Sequence, residues 1–184
     1  MKATGIVRRI DDLGRVVIPK EIRRTMRIRE GDPLEIYTDR EGEVIFKKYS
    51  PIGELATFAA QYAETLQKIC SVAVVICDRD AVIAAAGVVK KEYMDRKISR
   101  ELEAISEKRS FYQYKGGDRV WVTEDDGKHY ISSAMPIVTE GDVIGCVCAV
   151  VSPEEESGEE RVSKDLEAKL IQTAAVFLGK QLES

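Results

Sequence analysis

Two adjoining stretches near the amino terminus decide how this chain begins: Gly14-Arg15-Val16-Val17-Ile18-Pro19, followed three residues later by Arg23-Arg24-Thr25-Met26-Arg27. The first is rich in β-branched side chains, which favour strands. It ends in a proline, and proline suits the first turn of a helix because no backbone N–H is needed there. We therefore predict a strand over residues 13–18, then a helix to about residue 26 that carries Arg23 and Arg24. Arg27, four residues after Arg23, is expected to stack on it at the end of this helix.

The charge of the chain is sorted along its length. The first 29 residues hold nine basic side chains and three acidic ones, a balance of 9 minus 3, or +6, whereas the whole chain has a formal charge of -4. A compact cationic patch on an anionic protein attracts a polyanion to one place, and nucleic acid is the first candidate. The alternative is a solvated basic face whose arginines pair with nearby acids, namely Asp11, Asp12, Glu21 and Glu30.

The rest of the first 50 residues fits a small β-rich unit. We predict a strand over residues 4–10 before the turn at Asp11-Asp12, and a hairpin of residues 34–38 and 44–48 around Gly42. A unit of about 50 residues with few large apolar side chains buries too little surface to be stable alone. We therefore expect residues 1–50 to be an obligate dimer.

The pattern changes after Tyr49-Ser50-Pro51, and residues 51–184 are predicted to form a second domain bracketed by helices at 52–70 and 162–182. Apolar residues recur three or four apart in both helices, as expected for amphipathic helices. The stripes consist of Ile52, Leu55, Ala59, Tyr62, Leu66 and Ile69, and of Val162, Leu166, Leu170, Ala174, Phe177 and Leu178. Either helix has two possible partners, its own sheet or another copy of the chain.

Between these helices the sequence predicts a central antiparallel sheet, and hence an α+β fold. The expected elements are a hairpin of residues 72–77 and 81–85, a helix over 99–108, and strands near 120–123, 130–138 and 143–151. The glutamate-rich run at 153–160 is interpreted as a solvated loop.

Several classes of function find no support in the sequence. The four cysteines have neither Cys-x-x-Cys spacing nor a histidine cluster, since His129 is the only histidine, so we expect reduced, buried thiols and no metal. No catalytic set or phosphate-binding glycine loop is present, and we predict no enzyme activity and no cofactor. The longest apolar runs are too short to span a membrane, and no signal peptide precedes them, so a cytoplasmic protein is expected.

The amino-terminal residues resemble a known family. Residues 1–25, Gly31-Asp32, Leu34-Glu35-Ile36-Tyr37 and Lys47-Lys48-Tyr49 closely resemble the DNA-binding domain of the AbrB transition-state regulators. The resemblance implies a swapped-hairpin β-barrel formed by two chains, with DNA-contacting arginines at Arg8, Arg15, Arg23 and Arg24. Charge and position add Lys2, Arg9 and Arg27 to this predicted site.

The second domain has a shorter resemblance. Met135-Pro136-Ile137-Val138 and Gly141-Asp142-Val143-Ile144-Gly145-Cys146-Val147 look like the paired closing strands of a GAF domain, a small-molecule sensing fold. The motif typical of cyclic-nucleotide-binding GAF domains is missing. Trp121, Tyr130 and Met135 are candidates to line a ligand pocket, although each also suits an ordinary core.

Together the two resemblances imply a homo-oligomeric regulator that binds double-stranded DNA. They imply activation and repression of late sporulation genes in an endospore-forming bacterium, association with the nucleoid, a dimer through residues 1–50 and a tetramer through the GAF-like helices. A small GAF ligand of unknown identity is possible on this resemblance. The alternative is an antitoxin that represses its own promoter and neutralises a protein toxin, because similar swapped-hairpin domains occur in that class.

Overall fold

The structure is a computed structural model that describes residues 4–124, 128–154 and 162–183. The chain divides into two compact units, Met1–Tyr49 and Ser50–Ser184. Antiparallel sheets and helices occur together in it, which confirms the predicted α+β class.

The N-terminal unit contains one short helix and one hairpin. Helix α1 spans Lys20–Thr25, and strands β1 (Leu34–Thr38) and β2 (Val44–Lys48) pair antiparallel with Leu34 opposite Lys48. Both strands have the predicted bounds. Gly42 has a φ of +87° in the connecting turn, a conformation that costs glycine little. Pro19 is the residue before α1, one position earlier than predicted.

Residues 4–18 form no strand in the described chain, so the predicted strands over 4–10 and 13–18 are wrong for a single copy. Only a local turn is present, in which Asp11 N–H donates to the Arg15 carbonyl and Gly14 N–H to the Asp11 carbonyl. The β-branched side chains remain in solvent, with Val7 86% and Val17 72% exposed. A strand needs a neighbour that pairs its backbone groups, and the sheet of this unit within the described residues has only β1 and β2.

The C-terminal unit is built on a five-stranded antiparallel sheet. Its strands are β3 (Val74–Asp78), β4 (Val82–Ala86), β5 (Tyr112–Gln113), β6 (Tyr130–Thr139) and β7 (Asp142–Val151), in the spatial order β4-β3-β7-β6-β5. The hairpins β3–β4 and β6–β7 confirm the sequence prediction. Residues 120–123 do not form a strand and make only isolated bridges, because the pairs Ile98–Thr123 and Trp121–Tyr130 are single.

Helices cover both faces of this sheet. They are α2 (Pro51–Glu54), α3 (Ala56–Cys70), α4 (Lys90–Tyr93), α5 (Arg100–Glu107) and α6 (Lys164–Gln181). One core joins α3 and α6 to one face of the sheet, and its members include Leu66, Val147 and Ile171. A second core lies on the other face and includes Leu102 of α5 and Cys146. Most of β7 is buried because its two faces belong to different cores.

The first bracketing helix is divided in two. Its chain turns at Leu55, which has φ -93° and ψ 15°, so α2 and α3 are separate helices. The Ser50 hydroxyl caps α2 by accepting from the Gly53 N–H, and Ile52 is fully buried. The turn thus lets Ile52 reach the core that also holds Ala59, Ala63 and Leu66.

In α6 the buried stripe is rotated relative to the predicted one. Leu166 is 46% exposed, whereas the adjacent Glu167 is only 4% exposed. Phe177 is also on the exposed side, and the buried residues of the helix are Glu167, Ile171, Ala174, Ala175, Leu178 and Gly179. Both amphipathic helices therefore pack on their own sheet and still present apolar side chains to solvent.

Candidate nucleic-acid interface

Arg23 and Arg24 occupy the last turn of α1. Both side chains are exposed, and neither makes a hydrogen bond or ion pair within the described part of the chain. Basic side chains suit this end of a helix because the last carbonyls carry partial negative charge. The pair is therefore a local concentration of positive charge that is open to an external anion.

Arg8 and Arg9 lie on the exposed segment before the turn at Asp11. Their side chains also make no ion pair or hydrogen bond among the residues that the structure describes. Lys2 lies outside the described residues. The structure therefore places two of the predicted basic residues in solvent, in the same unit as Arg23 and Arg24.

Arg15 has an acidic partner. Its Nε donates to Asp11 Oδ2 at 2.8 Å, while Asp11 Oδ1 accepts from the backbone N–H groups of Leu13 and Arg15 at 3.0 and 2.7 Å. The backbone and side-chain hydrogen bonds from Arg15 hold the pKa of Asp11 below its usual value. For Arg15 the structure shows the ion pair that the solvated-face alternative predicts.

Arg27 does not continue the helical surface. We expected it to stack four residues after Arg23, but α1 ends at Thr25 and Arg27 has a φ of +52°. The helix ends early because Ile28 N–H and Arg27 N–H bond back to the carbonyls of Arg23 and Arg24, at 2.7 and 3.3 Å. Arg27 is half-buried, and its own carbonyl accepts from Lys48 Nζ at 2.9 Å.

An ion pair that the sequence analysis missed joins the loop after α1 to β2. Asp32 Oδ2 accepts from the Arg29 N–H at 2.8 Å and lies 3.6 Å from Lys48 Nζ. The Asp32 side chain is 3% exposed and that of Lys48 is 22% exposed. The turn sequence Gly31-Asp32-Pro33 was the available signal, because an aspartate in a turn often accepts from nearby backbone N–H groups.

The C-terminal unit holds a cluster of three buried thiols. Cys77 on β3 pairs with Cys146 on β7, and Cys148 Sγ lies 3.8 Å from Cys146 Sγ. Hydrogen bonds with Cys146 and Cys77, together with burial, raise the pKa of the Cys148 thiol. The prediction of buried thiols thus holds for these three, while Cys70 is half-buried. Protonated, buried thiols are poor nucleophiles.

Glu167 is a buried acid that the sequence analysis did not single out. Its Oε1 accepts hydrogen bonds from Ser132 Oγ at 2.7 Å and Ser133 Oγ at 2.8 Å. An irregularity in β6 between Ile131 and Ser133 accompanies this arrangement, and such bulges redirect side chains. The contact joins α6 to β6 and explains why a glutamate takes a core position.

Trp121, Tyr130 and Met135, the candidates to line a ligand pocket, all make contacts within the fold. Trp121 forms a bridge to Tyr130, and its carbonyl accepts from Ser99 Oγ at 2.7 Å, whereas Met135 packs against the core under α3 and α6. Among residues 4–124, 128–154 and 162–183, no group of three or more His, Cys, Asp or Glu side chains suits a metal ion. No helix within those ranges combines the length and apolar character required to cross a membrane.

Two family models match the chain. The model described as stage V sporulation protein T C-terminal, transcription factor, matches residues 54–183. The model described as antidote-toxin recognition MazE, bacterial antitoxin, matches residues 7–53.

Curated relatives extend these matches. Stage V sporulation protein T of Bacillus subtilis (strain 168) is 51% identical over 186 residues, covering 100% of this chain and 99% of that protein. Transition state regulatory protein AbrB of the same organism is 65% identical over 51 residues, covering 28% of this chain and 52% of AbrB.

Among solved structures, the solution structure of the N-domain of the transcription factor AbrB is 65% identical, with a TM-score of 0.25, and the match covers 27% of this chain and 92% of that one. A GAF domain/HD domain protein from Geobacter sulfurreducens is 15% identical, with a TM-score of 0.47, and the match covers 74% of this chain and 99% of that one.

Proposed function

This chain belongs to the family of stage V sporulation protein T, and from that membership we propose that it regulates transcription of late sporulation genes by binding double-stranded DNA. The N-terminal unit makes the DNA contacts, and the regulator both activates and represses. The observation that carries the proposal is the exposed Arg23–Arg24 pair, which has no acidic partner in the described chain.

The DNA-binding residues of the proposal are Arg8, Arg15, Arg23 and Arg24, with Lys2, Arg9 and Arg27 as outer members. Arginine suits this purpose because its planar fork grips phosphates and guanine edges with two hydrogen bonds. Arg15 keeps part of its fork for DNA while Nε stays on Asp11. Arg27 contributes least, because it is half-buried beyond the end of the helix.

Dimerisation of the N-terminal unit is the second element of the proposal. Residues 4–18 carry strand-forming side chains that the single chain leaves in solvent, among them Val7, Ile10, Leu13 and Val17. A second chain offers both a backbone partner and an apolar surface, as in a swapped-hairpin barrel. Burying such side chains stabilises the assembly by about 25 cal/mol per Å² of apolar area.

The GAF-like unit extends the dimer to a tetramer in this proposal. The rings of Phe58 and Tyr62 on α3 lie 5.8 and 5.7 Å from the ring of Phe177 on α6, so the two helices share an aromatic cluster. Phe177 is partly exposed, and Ile69 on α3 and Leu166 and Val176 on α6 are exposed as well. These apolar side chains would be covered by the matching helices of another copy.

The proposed regulator is not an enzyme and acts in the cytoplasm, associated with the nucleoid. The family model that matches residues 54–183 is described as a transcription factor, and buried, protonated thiols are poor nucleophiles. The antitoxin alternative is not favoured, because the 51% identity to a sporulation protein extends over the whole chain, including the large second unit. The antitoxin model matches residues 7–53 alone.

The test is the salt dependence of duplex DNA binding by the full chain, with mass in solution recorded in parallel. The logarithm of affinity should fall with the logarithm of salt at a slope of about -0.9 per contacted phosphate. An Arg23→Ala, Arg24→Ala double variant removes four arginines from a dimer, so its slope should be shallower by up to about 3.6.

A Lys91→Ala, Lys97→Ala double variant is the matched control, because it removes the same charge from exposed positions of the C-terminal unit. It should keep the slope of the unmodified protein. Absence of DNA binding by the full chain at low salt, or equal slopes for the two double variants, would contradict the proposal.

A further inference from the structure

Lys48 is the last residue of β2, and its ammonium group holds the segment that ends α1. Its Nζ donates to the Arg27 carbonyl at 2.9 Å and lies 3.6 Å from Asp32 Oδ2. The carboxylate is almost fully buried and also accepts from the Arg29 N–H. Lys48, Arg27, Arg29 and Asp32 therefore form one network, which we call the β2–α1 clamp.

The β2–α1 clamp connects to the backbone of the two arginines proposed to contact DNA. Arg27 N–H bonds to the Arg24 carbonyl, and Ile28 N–H bonds to the Arg23 carbonyl. Lys48 donates to the Arg27 carbonyl, which belongs to the same peptide group as the Ile28 N–H. A chain of hydrogen bonds thus connects a lysine that is distant in sequence to the last turn of α1, which carries Arg23 and Arg24.

A charge count alone would assign Lys48 to the DNA. Its geometry argues against this, because the ammonium faces a buried carboxylate and a carbonyl, and only 22% of the side chain is exposed. The adjacent Lys47 is exposed and lies over the ring of Tyr37, with Nζ 4.5 Å from the ring centre. Two neighbouring lysines of equal charge therefore have different environments.

We propose that Lys48, held by Asp32, is a positioning residue for DNA binding: it orients the turn of α1 that carries Arg23 and Arg24 and does not contact a phosphate. This inference rests on the proposed function, because it concerns how the same arginines are presented. It separates the basic residues of the N-terminal unit into those that contact DNA and one that orders the contact surface.

The experiment compares full-length Lys48→Gln, Lys47→Gln and Asp32→Asn with the unmodified protein, using duplex DNA over a range of salt. Lys48→Gln should weaken binding by about threefold to thirtyfold, as expected for loss of a coupling network. Its salt slope should stay unchanged, because no phosphate contact is lost. Lys47→Gln, which removes the same charge, should weaken binding less.

Mass and thermal unfolding are recorded for each variant, because a purely structural role would lower the unfolding temperature and leave the affinity of the folded protein unchanged. Asp32→Asn should reproduce the loss of affinity at unchanged slope. The double variant Asp32→Asn, Lys48→Gln should be no weaker than Lys48→Gln alone, because both changes disrupt one interaction. Lys48→Arg, which keeps a charged donor, should restore most of the affinity.

Two results would overturn the inference. A salt slope shallower by about 1.8 for a Lys48→Gln dimer would make Lys48 a phosphate contact, and an affinity equal to that of Lys47→Gln would remove any positioning role. If Lys48→Gln does not assemble, Asp32→Asn decides: wild-type affinity at wild-type mass contradicts the proposal. Failure of the proposed function is distinguishable, since the unmodified protein would then lack steep, arginine-dependent DNA binding.

Discussion

The two units of this chain differ in how much of their own fold they contain. Among residues 4–49, no large apolar side chain is buried, and the single sheet has two strands. The C-terminal unit buries two apolar clusters, one on each face of a five-stranded sheet. One unit therefore has a complete core within a single chain, whereas the other has the sequence of a β-rich fold without enough strand partners in one chain to form it.

The two units should differ in what determines their stability. The C-terminal unit should unfold with a transition set largely by its own core. The proposed N-terminal dimer should have a stability that depends on protein concentration, because folding and association are then a single equilibrium.

The largest effect is expected from Val17→Asp. In an isolated chain the change is harmless because Val17 is already exposed. In the proposed dimer it places a carboxylate against apolar surface and should cost about 3 kcal/mol per chain, which abolishes N-terminal assembly and DNA binding. Analytical ultracentrifugation and DNA titration measure both losses.

Val89→Asp provides the matched control for that change. Val89 is an exposed valine of the C-terminal unit, and its replacement should alter neither mass nor DNA affinity. Equal behaviour of the two variants would refute the claim that residues 4–18 are covered by a second chain.

Gly145→Ala should damage the complete unit. A Cβ atom at this position would lie 2.2 Å from the Cys77 carbonyl oxygen of the neighbouring strand, so β3 and β7 would have to separate. We expect a loss of about 3 kcal/mol from overpacking, measured by denaturant unfolding monitored at Trp121. Unchanged unfolding would show that the strands do not approach this closely.

Glu167→Ala should destabilise the same unit by a smaller amount. The change removes the acceptor that joins β6 to α6: Ser132 Oγ can still donate to the Ala149 carbonyl at 3.3 Å, whereas the buried Ser133 hydroxyl loses its acceptor. An unsatisfied buried polar group costs about 2 kcal/mol. Glu167→Gln retains an acceptor and should recover part of the loss. If Glu167→Ala and Glu167→Gln unfold at the same midpoint, the hydrogen bonds from Ser132 and Ser133 contribute nothing to stability.

The smallest effect concerns the ion pair of Arg15. Asp11→Asn keeps an oxygen for the N–H groups of Leu13 and Arg15 but removes the negative charge beside the guanidinium. DNA affinity should rise about twofold to threefold at low salt, and the gain should shrink as salt screens exposed charges. A lower affinity would indicate that Asp11 is needed to orient Arg15 for DNA.

The elements with the clearest local pattern were predictable from the sequence. The β1–β2 hairpin follows from two short strand patterns around Gly42, and β6 and β7 follow from two largely apolar stretches on either side of Glu140-Gly141, because each signal lies within a few residues in sequence. The position of the pair Arg23-Arg24 was also predictable, because a short helix that begins after Pro19 has these two residues in its last turn.

Other features depend on contacts that sequence periodicity does not encode. Periodicity alone assigns the inward position to Leu166. Glu167 takes that position because it accepts hydrogen bonds from two serines that are more than 30 residues away in sequence. The clamp at Lys48 depends on Asp32, and the early end of α1 depends on hydrogen bonds from Arg27 and Ile28. The strands predicted over residues 4–18 need a partner that the single chain does not supply.

The most direct test of the central claim, that a second chain completes the N-terminal unit, is a search for contacts between chains in a mixed sample of isotopically labelled and unlabelled protein. The account predicts interchain nuclear Overhauser effects from the methyl groups of Val7 and Val17 to the N-terminal unit of the other chain. If those methyl groups contact only residues of their own chain, or only solvent, in a sample that binds DNA, the claim is wrong.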